Sequence, residues 1–455
     1  MAYERLLDDE ELLAEEKRPN ATYLFVRRNS NLSVSLKNTI GARSLSVAFV
    51  KKILQDVFLP RGYPSSVSSD YMDYQIWDTV QAFVSTINGT LTTHAILKGV
   101  GVGDQEATAL AATVTWILKD GTGMIGRIGF AWWKGYSLDT DCKKWRLVAD
   151  FTNDIAMCFE LLLGFVWFKN YGPIILCIST GMKAIVGVAG GATRAAITQH
   201  QAIHGNMGDV SAKDGSQETC VNLVASFLGV FILSFIEDKY WCLWTLFFFN
   251  VFWHLFANYK AVKSLNIHTI NGARFLLVVK HFLEYNIVCS PKVINQEENV
   301  ILGFGISDRE LTSRKINLGC SLKQIVETGR HNLDFTLKNL RRTYISFPYV
   351  ILHDLKTINV VLQENISDED IIKAYFHALI LGVILNDSLR LKKSFNPHND
   401  FHSLIEKSNS SELCDFYVND FVLKKWPELS TNLIRNGWQL NVHQLAVDEF
   451  RVKWC

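Results

Sequence analysis

Apolar and polar positions change texture several times along this chain. Residues 1–20 form an acidic lead, with Glu4, Asp8, Asp9, Glu10, Glu11, Glu15 and Glu16 reading as solvated. From Ala21 to Leu36, Tyr23, Phe25, Leu32, Val34 and Leu36 alternate with other residues across Arg28-Asn29-Ser30-Asn31. Period-2 alternation around a polar turn predicts a β-hairpin. Pro60, Gly62 and Pro64 carry turn chemistry, and Ser69 or Asp70 is placed to cap a helix running toward Leu97. Beyond it, apolar segments separated by small polar islands continue to about residue 261. They cover roughly 76–97, 106–118, 123–133, 148–168, 173–198, 221–236 and 240–257.

The last two segments are the clearest. Val221–Ile236 has no charged residue, and Tyr240–Ala257 has none apart from the titratable His254; only Glu237-Asp238-Lys239 separates them. A membrane-spanning helix needs about 20 apolar residues. The pattern therefore predicts a membrane-inserted hairpin, with a buried hairpin of a soluble helical domain as the alternative. Gly187-x-x-x-Gly191, within the small-residue stretch Gly181–Ala196, would allow two helices to approach closely or would simply mark a loosely packed helix.

After Lys263 the charge density becomes ordinary. Tyr344–Leu352 and Thr357–Leu362 flank His353-Asp354 as a second hairpin, and Ser367-x-x-Asp370 opens a helix running to Leu385. Another amphipathic helix is expected over about 401–425. The fold class predicted is mainly α: a multi-helix membrane-associated bundle followed by a smaller α+β C-terminal domain. The corresponding boundaries are 1–50 for the lead and hairpin, 51–263 for the bundle and 264–455 for the soluble domain. Lys260, Lys263, Arg274 and Lys280 follow the last apolar run, which, if the hairpin spans, places that domain in the cytosol by the positive-inside bias.

Composition sharpens this picture. Of 455 residues, 48% are hydrophobic and 20% charged, below the ~25% of average soluble chains. Lys+Arg 46 against Asp+Glu 45 leaves no electrostatic footprint for a polyanion, so no nucleic-acid partner is expected. The nine cysteines include no CxxC pair, which argues against structural zinc and suits reduced thiols. The acidic start is unlike a signal peptide or an organelle presequence, and Cys455 cannot open a prenylation box. An intracellular membrane, entered as a hairpin or by several passes, is the expected location.

Candidate chemistry lies mostly in the apolar half. Gly121-Thr122-Gly123-Met124-Ile125-Gly126 fits the spacing of a dinucleotide loop, but the helix-like Ala107–Leu118 precedes it where a strand is needed, so a tight interhelical turn is expected. Gly99, Gly101 and Gly103 before Asp104 could form an anion-binding turn or a helix connection. Gly121, Gly123 and Gly126 share that candidacy. His200 and His204 stand at i, i+4 near Asp209, but the glutamate of a zinc helix is missing and Gly205-Asn206 ends the helix, so no metal is expected. No GxSxG elbow occurs. The remaining polar set is Asp120, Arg127, Asp150, Asn153, Asp154, Glu160, Lys183 and Arg194. Ionisable groups among spanning segments pair or line a wet cavity. Asp150 and Asp154 share a helical face, with Arg127, Lys183 or Arg194 as possible partners.

At these residues the chain resembles the root UVB sensitive (RUS) family. The carrying strings are Phe58-Leu59-Pro60-x-Gly62-Tyr63-Pro64-x-Ser66-Val67 and Asp70-Tyr71-x-x-Tyr74-Gln75-x-Trp77-Asp78. Lys119-Asp120-Gly121, Lys144-Trp145-Arg146, Ala149-Asp150-x-x-Asn153-Asp154 and Ala192-Thr193-Arg194 continue it. The run from Asp209-Val210-Ser211-Ala212-Lys213-Asp214 to Ser216-Gln217-Glu218-Thr219 completes it. The resemblance covers about 50–235 strongly and the C-terminal half more thinly. It implies a membrane-associated protein without an established reaction, linked in plants to seedling growth, light response and vitamin B6 status. It transfers no catalytic residue and no required cofactor.

Three function classes follow. The first is a non-enzymatic membrane scaffold or homeostasis factor acting with a homologous or other protein partner. The second is a small-polar-solute carrier, supported by the acid/base set and by a likeness of Lys119-Asp120-x-x-Gly123…Gly126-Arg127 to the Asp…Gly-Arg loop of major facilitator transporters. The third is an enzyme or binder for a phosphate-bearing molecule such as pyridoxal phosphate, resting on the glycine turns.

Overall fold

A computed structural model describes residues 10–18, 21–28, 31–36, 42–100, 109–236, 239–328, 341–386, 398–408 and 414–454. They divide into two compact units, one of residues 1–67 with 202–219, the other of 68–201 with 220–455.

In the first unit, β1 (Glu10–Arg18), β2 (Ala21–Arg28) and β3 (Asn31–Leu36) form an antiparallel sheet in that order. The predicted hairpin is β2–β3. Residues 10–18 of the acidic lead supply a third strand, whose register sets Glu10 opposite Arg28 and Glu11 opposite Arg27. Helix α1 (Ala42–Phe58) then leads into the Pro60–Pro64 turn, where Gly62 takes a φ of 78°. Residues of the 209–219 run clip that turn in place. Asp209 accepts the Arg61 N–H at 2.7 Å, Gln217 Nε2 donates to the Phe58 carbonyl at 2.6 Å, and Lys213 donates to that of Asp56. Side chains of one stretch thus satisfy the backbone of another far away in sequence.

The second unit contains α2 (Tyr71–Val100), α3 (Ala109–Lys134), the single turn α4 (Ser137–Thr140) and α5 (Cys142–Leu162). A 3-10 turn at Val166–Tyr171 precedes α6 (Gly172–Gln201). Helix α7 (Met207–Ile236) begins in the first unit and ends in this one, and α8 (Tyr240–Ser264) follows. The segments expected at 106–118 and 123–133 form one helix from Ala109 onward, with 106–108 outside the described residues. Gly121, Gly123 and Gly126 lie inside α3 rather than in a turn. A Cβ on Gly123 would stand 3.0 Å from Thr180 Cγ2, and one on Gly126 3.3 Å from Ala184 Cβ. Gly123 and Gly126 serve close packing of α3 on α6, a use that spacing alone does not separate from a loop, whereas Gly121 faces open space. The positions of Gly187 and Gly191 face open space, so that pair makes no close approach.

The chain continues through β4 (Thr269–Asn271), α9 (Gly272–Tyr285), α10 (Pro291–Glu297), α11 (Asp308–Thr312), β5 (Lys315–Leu318) and α12 (Leu322–Thr328). It ends with β6 (Tyr349–His353), β7 (Thr357–Leu362), α13 (Asp368–Ile384), α14 (Asn399–Ser408), α15 (Cys414–Arg435) and β8 (Gln439–Gln444). β6 and β7 are the predicted hairpin, and β5 adds in parallel beside β7. The Ser367 side chain caps α13 as expected, accepting the Asp370 N–H. From Ile371 onward α13 is buried almost throughout, so it forms the spine of a large aliphatic and aromatic core. The helix expected at 401–425 is two helices, α14 and α15, on either side of the small polar residues Asn409-Ser410-Ser411. The molecule is thus a mainly α bundle followed by a smaller α+β region.

One backbone position in that region tolerates no side chain. Gly319 has a φ of 72°, and a Cβ there would sit 2.3 Å from the Asp448 carbonyl oxygen. Gly319→Ala combines left-handed strain with a backbone clash and is expected to cost about 2–3 kcal/mol. A lowered midpoint in chemical unfolding, with an unchanged slope, checks this.

Candidate functional site

A polar seam runs between α2, α5 and α8. Asn250, His254 and Asn258 stand at i, i+4 and i+8, on one face of α8, and all three are buried. Asp150 and Asp154 of α5 present the same spacing toward them, and Gln81 and Asn88 come from α2. His254 Nδ1 lies 2.8 Å from Asp154 Oδ2, and Gln81 Nε2 donates to Asp150 Oδ2 at 2.8 Å. The same amide nitrogen is 3.0 Å from His254 Nε2. Because Gln81 must turn its N–H toward the Asp150 carboxylate, His254 Nε2 accepts and its ring proton sits on Nδ1, donated to Asp154. Asn258 Nδ2 also donates to Asp150. One turn along, Asn250 Nδ2 donates to Asn88 Oδ1 at 3.0 Å. At the other end Arg146 pairs with Asp78 at 2.8 Å.

The expected polar set therefore divides. Asp150 and Asp154 come together, but their partners are Gln81, His254 and Asn258, not Arg127, Lys183 or Arg194. Glu160 and Lys183 form a separate pair at 2.6 Å, with Ser179 donating to Glu160 at 3.1 Å. Asp120 and Arg127 are exposed on α3, Asp120 beside Lys119 at 3.8 Å. Asn153 and Arg194 are half-buried on α5 and α6. The stretch Lys119–Arg127 is helical, which removes the likeness to a transporter loop. Gly99 lies within α2, where a Cβ would come 2.7 Å from Leu163 Cβ; Gly101, Gly103 and Asp104 lie outside the described residues. With glycines in helices rather than turns, the phosphate-cradle reading loses its geometric basis at Gly99 and at 121–126.

His200 does not pair with His204; its Nε2 lies 2.9 Å from Asp70 Oδ2. Asp70 also accepts the Asn266 N–H and the Ser68 hydroxyl. Burial alone would raise the Asp70 carboxyl, but His200 and these donors hold it at about 2. No cluster of three potential metal ligands occurs among the described residues.

A second buried cluster ties α5 to the α+β region. Lys143 Nζ contacts Glu298 Oε2 at 3.1 Å, Asn295 Oδ1 at 2.6 Å and the Leu265 carbonyl at 3.0 Å. Arg274 reaches Glu298 at 3.3 Å, the Thr269 carbonyl at 3.0 Å and Gln444 Oε1 at 3.0 Å. All three charged residues are buried. Burial pushes the Glu298 carboxyl up, but Arg274 and Lys143 outweigh it and hold the group at about 2.

Around the seam, the outer faces of the helices are apolar. Leu223, Phe227, Val230, Phe231 and Phe235 of α7 are exposed, as are Phe249 and Phe252 of α8. Helices α6, α7 and α8 are each long and apolar enough to cross a membrane. Trp241, Trp167 and Tyr171 are exposed near the start of α8 and α6, and Trp132, Trp133 and Tyr136 at the end of α3.

The family described as "Vitamin B6 photo-protection and homoeostasis domain" matches residues 46–286, and "Root UVB sensitive protein, C-terminal" matches 287–454. The chain belongs to the root UVB sensitive family. It is 33% identical over 381 residues to "Protein root UVB sensitive 3" of Arabidopsis thaliana, covering 83% of this chain and 85% of that one. It is 47% identical over 276 residues to "RUS family member 1" of Dictyostelium discoideum, covering 60% of this chain and 51% of that one, about half its length. "Protein root UVB sensitive 5" of Arabidopsis thaliana is 27% identical over 419 residues, 88% of this chain and 77% of its own. No solved structure matches the chain. Asp78, Arg146, Asp150 and Asp154 lie within the strings that carry the family likeness. Gln81, His254 and Asn258 lie outside those strings.

Proposed function

We propose that this root UVB sensitive protein is an integral membrane protein. Its helical bundle sits in the bilayer, its α+β region in the cytosol, and it serves as a non-catalytic homeostasis factor for vitamin B6. One observation carries the membrane part: the bundle is apolar outside and polar inside. Phe227 is 70% exposed while His254, about 20 Å along α8 from Tyr240 at ~1.5 Å per residue, is fully enclosed. In water that arrangement would expose more apolar surface than a soluble monomer tolerates. In lipid it is the stable one, with tryptophans and tyrosines of α3 and α8 at interfacial depth. The vitamin B6 part comes from the family description alone.

Alkaline carbonate extraction of membranes tests insertion. The full chain is expected to stay in the pellet, and its release into the supernatant would overturn the proposal.

A second reading, a carrier of a small polar solute, is favoured by the continuity of the seam from Asn88 to Asp78. Asp/His chains of this kind mark proton and solute pathways in membranes. Uptake of pyridoxine into liposomes holding the purified protein, lost in Asp150→Asn, is its expected result; no uptake above empty liposomes removes it.

A further inference from the structure

A groove between α5 and α8 is lined by Asp154, one of whose carboxylate oxygens has no hydrogen-bond partner among the described residues. Its volume is about 280 Å³, close to the lower bound of the ~300–1,000 Å³ usual for small-molecule sites. Phe151, Phe159, Phe247 and Phe248 line it together with Cys158, and Asp154 is its single acidic residue. Asp154 is 4% exposed. Its Oδ2 takes the His254 Nδ1 proton, whereas Oδ1 is buried without a hydrogen-bond partner. A buried acceptor left unmet is costly, so a groove lined by the residue that carries one is suited to a donor.

The surroundings say what kind of donor. The seam sets three carboxylates, Asp78, Asp150 and Asp154, against one guanidinium, Arg146, while the hydrogen bonds of His254 fit the neutral imidazole. A neutral hydroxyl would satisfy Oδ1 and leave that imbalance. An ammonium satisfies both and is attracted by the phenyl faces on the walls. Phe151 and Phe248 are more than half exposed, so the mouth is apolar and admits a body that is itself apolar.

We propose that the α5–α8 groove binds a small lipophilic primary amine, its ammonium donating to Asp154 Oδ1 and its hydrocarbon or aromatic body lying on Phe151, Phe159, Phe247 and Phe248. The site shares Asp154 with the seam but opens on its own groove, so amine binding there does not require solute passage along the seam. It is also measurable in detergent whether or not the protein inserts in a bilayer.

Cys158 on the groove wall is a built-in reporter. The full chain in detergent micelles is treated with a lipophilic maleimide, and modification of the Cys158 peptide is read by mass spectrometry. The probes are 4-phenylbutylamine and its near-isostere 4-phenylbutan-1-ol. The amine is expected to protect Cys158 at about tenfold lower concentration than the alcohol, as a charge-assisted hydrogen bond requires. Asp154→Asn should abolish the difference. Phe248→Ala, at an exposed rim position where folding is not at stake, should weaken amine protection about threefold. Equal protection by the two probes, no protection by either, an amine preference that survives Asp154→Asn, or amine protection unchanged by Phe248→Ala would overturn the proposal.

Discussion

Replacing Glu298 by alanine is expected to destabilise the protein by about 3–5 kcal/mol, among the largest effects available to a single substitution here. The reason is geometric. Lys143 and Arg274 are 2% and 1% exposed, and Glu298 is the carboxylate that both reach. Removing it leaves two buried cations facing each other. Thermal unfolding of the purified chain, followed by tryptophan fluorescence, measures the loss. Glu298→Gln keeps two hydrogen-bonding positions and should recover only part of it. The same carboxyl predicts a pH dependence. Its folded value of about 2 lies below the ordinary 4.5. Its contribution, about 3 kcal/mol, is therefore complete above pH 4.5 and lost as the pH falls from 4.5 toward 2. Acid unfolding of Glu298→Gln should lack that component. An identical acid profile in the two proteins would show that the cluster is not coupled to folding.

His254→Leu is the second large effect, again about 3–5 kcal/mol. Leucine fills similar space, so the loss is polar. Asp154 would have neither oxygen engaged, and the Gln81 amide would lose an acceptor. A double-mutant cycle isolates this. Asp154→Leu added to His254→Leu removes the stranded carboxylate, and the pair should be more stable than His254→Leu alone. A near-neutral single mutant would mean that water replaces the imidazole without cost. That result would make the seam a hydrated channel rather than a packed one.

How much of this was legible in the sequence differs from element to element. The β2–β3 hairpin and α13 were readable because each rests on local chemistry: alternation around a polar turn, and a serine cap three residues before an acid. Asp150 and Asp154 were readable because carboxylates stand out in an apolar helix. Their partners were not, because Gln81 and Asn258 carry no charge and amides are unremarkable on any helix. The Asn250–His254–Asn258 spacing was the available signal, an i, i+4, i+8 polar line through an otherwise apolar segment. Glu298 was invisible for the opposite reason: it sits among ordinary acidic residues, and only long-range packing singles it out. The glycines of α3 misled because a tight turn and a close helix contact both require a residue without a side chain. Spacing cannot distinguish these until the neighbouring helix is known.

The Lys143 cluster also sets an order of events during synthesis. Lys143 donates to Asn295, 152 residues downstream. At about 5–20 residues per second, a ribosome needs roughly 8–30 s to reach that partner. Throughout that interval the first turn of α5 has an ammonium that cannot be withdrawn from water. The bundle therefore cannot lock its α5 end before residues 295–298 emerge, and a later-made segment completes an earlier one.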